Sequence, residues 1–252
     1  MTPELSVVIP AYNEAARIGP YLAAIRKYLD VEYPRDYEVL VVDDGSADGT
    51  VSLVECVGLD WPQLHSIGLG TNRGKGAAVR TGILAAKGRR ILFADADGAT
   101  PIEEERRLSL AIANGAEVAA GSRYVPGPGV QRERNLKREA ASAVFRTAAR
   151  VLIGVGVNDT QCGFKMFDAH VGRTLFERSQ ENGYLFDIEI LSLARRLEVP
   201  VAEVAVNWSE RPGSKVRFVR DGFRMFAGLW RLRRRLRTVA PAPMLAATRR
   251  AA

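Results

Sequence analysis

The sequence predicts an α/β fold with a mostly parallel central sheet flanked by helices. Short apolar runs alternate with segments of helical spacing, and the runs are apolar on both faces, so helices must cover the sheet on both sides. The polar clusters of the first half fall directly after these runs, at the strand ends where such sheets bind ligands. With 252 residues, 47% of them apolar, the chain can bury the core of one large domain, which excludes a disordered or fibrous protein.

In chain order, LSVVI (5–9), YEVLVV (37–42), RILFA (90–94) and AEVAAG (116–121) are expected strands. Between them, EAARIGPYLAAIRKYL (14–29), KGAAVRTGILAAK (75–87) and PIEEERRLSLAIAN (101–114) repeat apolar residues at helical spacing. A brief helix after Thr50 and a short strand near Leu64–Ile67 complete this half. A Pro/Gly-rich loop at 124–135 follows, then a helical segment, DTQCGFKMF (159–167), a helix from about Asp187 to Leu197, an apolar strand at 201–208 and a last helix at 219–237.

Cys56 and Cys162 are too few for a disulfide framework and lack metal-ligand spacing, which fits a reducing compartment. No run approaches the roughly 18 to 20 apolar residues that span a bilayer, and MTPELSVVIPAY has no basic lead, so neither a membrane span nor export is expected. Most of the net charge of +7 is local: seven Arg and one Asp lie between Arg220 and Arg237. The remainder is close to neutral, which speaks against a nucleic-acid partner.

In ILFADADGAT, Asp95 and Asp97 end an apolar strand two residues apart, so their side chains aim at one spot roughly 6 to 7 Å across. Such a pair shares a proton or a cation, or else serves as turn residues before Pro101, with Asp97 or Thr100 as a cap. Asp43 and Asp44, a second acidic pair, end a second apolar strand. GLGTNRGKGAAV (68–79) is neither a P-loop, which would need glycine at Leu69 and Ser or Thr at Gly76, nor a dinucleotide fingerprint. It remains a glycine-rich helix start carrying Arg73 and Lys75, suited to a diphosphate or simply a turn with solvated cations.

VVIPAYNE, VLVVDDGSADGT, NRGKGAAVRTGI, FADADGAT, GSRYV, DTQCGFKMF, YLFDIEIL and AVNWSERPGSKV, in that order over roughly residues 4–215, resemble the family 2 glycosyltransferases of GT-A fold. They are most similar to the polyprenyl-phosphate (dolichyl-phosphate) sugar transferases. The resemblance implies a GT-A domain over 1–218, with a nucleotide-sugar half to about 121 and an acceptor half from about 122. Residues 219–252 are left as a basic amphipathic helix and a disordered tail. Pro10, Ala11, Tyr12 and Glu14 correspond to the nucleoside wall, Asp43 to the carboxylate that reads the base, and Asp44 to its support. Asp95-Ala96-Asp97 matches the DxD signature that holds Mg²⁺ or Mn²⁺ against the donor diphosphate; Ala99 departs from relatives that place another polar ligand there. Lys215 and Ser214 match a loop closing over the donor.

For the acceptor, Arg123 and Arg138 match arginines that bind a polyprenyl phosphate, whose second pKa of about 6 leaves it ionised near neutral pH without a base. A hydroxyl acceptor would need one, and Asp187 and Glu189 lie where other branches place it, unless they are exposed helix-start acids. DTQCGFK and VNWSERPGSK resemble the glucosyl branch, which implies UDP-glucose; GDP-mannose is the alternative, as is a soluble hydroxyl acceptor with Asp187 as base. A non-catalytic nucleotide-sugar or RNA-binding module is the distant alternative. On the last helix, Phe223, Met225, Phe226, Leu229, Trp230, Leu232 and Leu236 fall on about half the circumference. That predicts peripheral attachment to the cytoplasmic membrane face, or else packing on its own domain. The oligomeric state is left open.

Overall fold

The computed structural model describes residues 2–130, 136–211 and 218–238. Its frame is a seven-stranded sheet in the order β3-β2-β1-β4-β6-β5-β7. The strands are β1 (Leu5–Ala11), β2 (Tyr37–Asp43), β3 (Leu64–Gly68), β4 (Arg90–Ala94), β5 (Val118–Ser122), β6 (Phe164–Asp168) and β7 (Val201–Ala205). The helices are α1 (Ala15–Glu32), α2 (Thr50–Gly58), α3 (Lys75–Ala85), α4 (Glu105–Ala113), α5 (Leu136–Ile153), α6 (Ala169–Arg178), α7 (Phe186–Arg196) and α8 (Phe218–Thr238). The helix expected from Pro101 opens instead as a 3-10 turn at Ile102–Glu104 before α4.

Alternate residues of each central strand feed two separate cores, as the period of two requires. Val8, Leu40, Val42, Ile91, Phe93 and Val118 face the core shared with α3, α6, α7 and α8. Val7, Ile9, Val39, Val41, Leu92 and Ala94 face the core shared with α1 and α4. Both faces are therefore covered, and every residue of β1 and β2 is buried.

Two elements depart from the sequence expectation. No strand or helix is predicted from the pattern at 159–185, yet β6 and α6 form there, and β6 runs antiparallel to both β4 and β5. The lysine within FKMF obscures an apolar run whose other members, Phe164, Met166 and Phe167, are fully or almost fully buried. Because β6 is reversed, its start meets the end of β4, pairing Phe164 with Ala94. The loop 159–163 is thereby delivered to the sheet edge that carries the ends of β1, β2 and β4.

The last helix packs on the domain: Leu229, Leu232 and Leu236 are buried in the core, whereas Trp230 is 57% exposed. Among the described side chains of the stripe these three leucines are taken up by the protein itself, while Trp230 and the exposed Arg231, Arg234 and Arg237 face outward. The side chains of Phe223, Met225 and Phe226, and the tail expected after 238, lie outside the described positions.

Close approach of α3 to the sheet depends on Gly82, because a Cβ there would overlap Val8 Cγ1 and press on Val42. Gly82→Ala is expected to destabilise the protein by about 1 to 3 kcal/mol despite its better helix propensity. Urea unfolding of the two proteins measures this directly.

Candidate active site

Loops after β1 and β2 are built as one wall. Pro10 and Ala11 are buried at the end of β1, and Tyr12, 38% exposed, stands just beyond. The Asn13 amide donates to Ser46 Oγ (2.8 Å) and the Ala47 amide to Asn13 Oδ1 (2.8 Å), while the Glu14 amide donates to Thr50 Oγ1 (2.8 Å). Asn13 holds this turn at φ 53°, in the left-handed region that asparagine tolerates better than most residues. The Asp43 carboxylate accepts from the amides of Gly45 (3.1 Å) and Ser46 (3.0 Å), fixing its own loop. Asp44 spends one oxygen on the Arg73 amide (2.6 Å) and the other on the Gly74 amide (2.9 Å), so it anchors the glycine-rich helix start.

That helix start brings Lys75 to the acidic elbow. Lys75 Nζ lies 2.6 Å from Asp95 Oδ1 and 5.4 Å from the centre of the Phe93 ring. Burial works against the ammonium, but the charges of Asp95 and Asp187 outweigh it, so Lys75 is held protonated more firmly than a free lysine. Asp97 is also pushed up, first by burial and then by the charge of Asp95, which for a carboxylate disfavours the charged form. Its Oδ1 accepts from the Ala99 amide (3.0 Å), and Arg17 Nη1 stands 4.0 Å from Oδ2. The same guanidinium grips Glu14 with two hydrogen bonds of 2.7 and 2.6 Å, so Arg17 ties the first loop to the elbow. Ala96 is buried between the two aspartates, and Asp97, Gly98, Arg17 and Tyr21 line a cavity of about 380 Å³.

Room for Asp95 comes from Gly163, where any Cβ would occupy the position of the carboxylate; the Asp95 amide donates to Gly163 O (2.9 Å). Asp95 and Asp97 are hard oxygen donors, the kind Mg²⁺ and Mn²⁺ take in ones or twos before completing their shell with phosphate and water. Among the described residues no group of three or more His, Cys, Asp and Glu forms a fuller site. The mutual repulsion of the pair and the partial exposure of both side chains, 32% and 28%, fit such an ion.

Asp187 and Glu189 are not exposed helix-start acids. Asp187 is 4% exposed and its Oδ1 accepts from Lys165 Nζ at 2.7 Å, while the same ammonium donates to Cys162 O at 2.5 Å. Burial raises the Asp187 carboxyl, and the neighbouring lysines work against that shift. Glu189, 1% exposed, accepts from the amides of Gln180 (3.1 Å) and Glu181 (2.8 Å) and pairs with Arg235 of α8. Both acids are therefore already committed to cations or amides.

On the other side of the elbow, Arg123 forks onto Asp159, with Nε–Oδ2 2.8 Å and Nη2–Oδ1 2.9 Å. Its guanidinium lies 5.5 Å from the Trp208 ring and 5.7 Å from the Tyr124 ring, and Arg146 stacks on Tyr124 at 3.6 Å. Burial opposes the charge of Arg123, and Asp159 more than restores it. Arg138 lies within α5, with its side chain outside the described positions; Ser214 and Lys215 also lie outside the described residues.

Sequence reasoning did not pick out Arg17, Lys165, Asp159 or Gly163. Two carried a usable signal: Arg17 falls one helical turn after Glu14, and Lys165 is a lone cation within an apolar run. Asp159 and Gly163 acquire their roles from β6 alone.

The chain matches the family model "Glycosyl transferase family 2" over residues 6–176. It is 36% identical to dolichyl-phosphate beta-glucosyltransferase of Dictyostelium discoideum, across 91% of this chain and 77% of that protein. Against the Homo sapiens enzyme of the same name the identity is 37%, covering 85% and 70%. Among solved structures it resembles glucosyl-3-phosphoglycerate synthase from Mycobacterium tuberculosis in complex with Mn²⁺, UDP-glucose and glycerol 3-phosphate. The TM-score there is 0.66 at 20% identity, over 96% of this chain and 82% of that one. The likeness extends to mannosyl-3-phosphoglycerate synthase from Rubrobacter xylanophilus, with a TM-score of 0.60 at 19% identity, over 96% and 78%.

Cys162 sits at the base of the elbow, buried, with its thiol pushed up to about 12 by burial and by Asp159. Only the thiolate is alkylated, so iodoacetamide at pH 8 is expected to label the exposed Cys56 and leave Cys162 unmodified until the protein is unfolded. Peptide mass mapping before and after denaturant reads the difference.

Proposed function

The chain belongs to the family 2 glycosyltransferases, and on that premise we propose that it moves glucose from UDP-glucose to a polyprenyl phosphate at a membrane surface, inverting the sugar's configuration. The observation that carries the acceptor assignment is the buried Lys165–Asp187 pair. A hydroxyl acceptor needs a carboxylate ready to take its proton, and Asp187, the acid best placed by resemblance, is bound to an ammonium within the protein. A phosphate monoester brings its own anionic oxygen and asks instead for guanidinium groups, which by resemblance Arg123, itself forked onto Asp159, and Arg138 would supply.

In this reading an oxygen of the acceptor phosphate forms the new bond to the sugar C1. The bond from C1 to the UDP oxygen breaks, and its electron pair leaves with UDP. Tyr12, Pro10, Ala11, Glu14 and Asp43 form the nucleoside side, with Asp44 holding the glycine-rich turn. Lys75 and, by resemblance, Lys215 lie toward the diphosphate. A divalent cation, Mg²⁺ or Mn²⁺, held by Asp95 and Asp97 would supply neutralising charge to the departing diphosphate. Arg17 positions Glu14 and Asp97 relative to one another, and Asp187 keeps Lys165 under the elbow.

The names of the relatives support glucose and a dolichyl-type phosphate, and the UDP-glucose and Mn²⁺ in the structural neighbour support the donor and the ion. Among the described residues no helix is long and apolar enough to cross a membrane. Contact with the lipid phase would fall to the outward face of α8, where Trp230 stands beside exposed arginines.

Pure protein with Mg²⁺, labelled UDP-glucose and a short polyprenyl phosphate should yield organic-extractable label. Label that stays in water, or that is extracted only from GDP-mannose, overturns the acceptor or the donor assignment respectively. Asp97→Ala should lower transfer by at least about 100-fold, the scale of losing about 3 kcal/mol of charge stabilisation. Asp187→Asn should lower the melting temperature by unpairing Lys165 while preserving transfer to the phosphate acceptor, because no proton has to be removed from it. The rate should rise as pH passes about 6, with the second ionisation of the acceptor phosphate, and stay level above it.

A further inference from the structure

We propose that Glu189 is a positioning residue for the donor diphosphate, tying the C-terminal helix α8 to the glycine-rich helix start that carries Lys75. The inference deepens the donor-site reading above and rests on it.

The connection runs through three sets of contacts. At its centre the buried Glu189 carboxylate gathers the Gln180 and Glu181 amides and the Arg235 guanidinium. These are charge-assisted bonds, and a carboxylate left short of partners in such a place is costly, so the loop and α8 hold each other.

The same loop forms a wall against α3. The Ala77 amide donates to Asn182 O at 3.2 Å, and Arg80 reaches Ser179 O at 3.3 Å and Asn182 Oδ1 at 2.5 Å. Asn182 O and Glu181 O fill the spaces where a Cβ on Gly74 and on Gly76 would lie, so these glycines let the loop touch the backbone on either side of Lys75. Lys75 itself reaches Asp95 from that first turn.

The third set seats α8. Leu185 Cδ1 occupies the space of a Cβ at Gly228, and Leu229, Leu232 and Leu236 are buried in the core. A displacement of α8 would therefore move Arg235, release Glu189, and loosen the loop that sets the direction of Lys75.

The test compares wild type with Arg235→Gln, Arg235→Lys and Gly228→Val; the last presses α8 off Leu185 without altering either member of the ion pair. UDP binding in the presence of Mn²⁺ is read by calorimetry, KM and kcat for UDP-glucose by the extraction assay, and loop order by amide hydrogen exchange. Arg235→Gln should weaken UDP and raise the donor KM by about tenfold, the scale of one charge-assisted hydrogen bond. Its kcat should stay within about twofold, since the acceptor side is untouched and the loss falls on donor binding. Gly228→Val should act in the same direction, Arg235→Lys should recover most of the loss, and exchange should quicken at 180–181 and 75–78. Should Arg235→Gln fail to fold, Glu189→Gln, which keeps an oxygen for the amides, carries the same expectation.

Unchanged UDP affinity alongside faster exchange at 180–181 would overturn the proposal, as would a fall in kcat with KM unmoved. Wild-type protein that does not bind UDP at all would instead remove the donor site, a result separable from an unchanged ratio between variants.

Discussion

Two aspartates of like charge at the end of β4 repel one another inside a partly buried elbow, and the surrounding structure is arranged around that repulsion. Between unit charges a few ångströms apart near a protein surface it amounts to a few kcal/mol, comparable with a good part of a domain's net stability. Cations from two other elements reduce it: Lys75 at the head of α3 meets Asp95, and Arg17 in the first turn of α1 faces Asp97. Each cation has an anchor of its own. Arg17 is gripped by Glu14, and the turn before Lys75 is fastened by Asp44. The loops after β1, β2 and β4 thereby become one electrostatic unit rather than three separate strand ends.

The reversed strand supplies the floor of that unit. β6 enters the sheet antiparallel; the peptide before it places Gly163 against Asp95 and Asp159 against Arg123, and its own Lys165 lies beneath the elbow. Burying an ammonium and a carboxylate together is tolerable only because each finds good partners; removing one member of such a pair typically costs about 3 to 5 kcal/mol. Lys165 meets this condition with Asp187 and Cys162 O. The acids of the α7 first turn thus act through contacts with the protein, which makes an acceptor that arrives already ionised the better chemical match.

The basic C-terminal helix divides its faces between two tasks. Its leucines complete the core against α5 and α7, and Arg235 turns inward to Glu189, so only part of its positive charge looks outward. A surface segment built in this way is at once a candidate contact for anionic headgroups and, on the proposal above, a mechanical part of the donor site.

The sequence alone determined the α/β class, the first five strands and the acidic strand ends, because these follow from local periodicity and from charged residues next to apolar runs. Eight blocks in order were enough to indicate the family. Tertiary structure alone decided that β6 runs backwards, that Asp187 and Glu189 are buried, and that Leu229, Leu232 and Leu236 of α8 are spent on the core. Each of these depends on a partner distant in the chain: Lys165 is 22 residues from Asp187, and Arg235 is 46 from Glu189. A carboxylate looks the same in the sequence whether it faces water, a metal or an ammonium. Its chemistry is set by what the fold brings within about 3 Å of it.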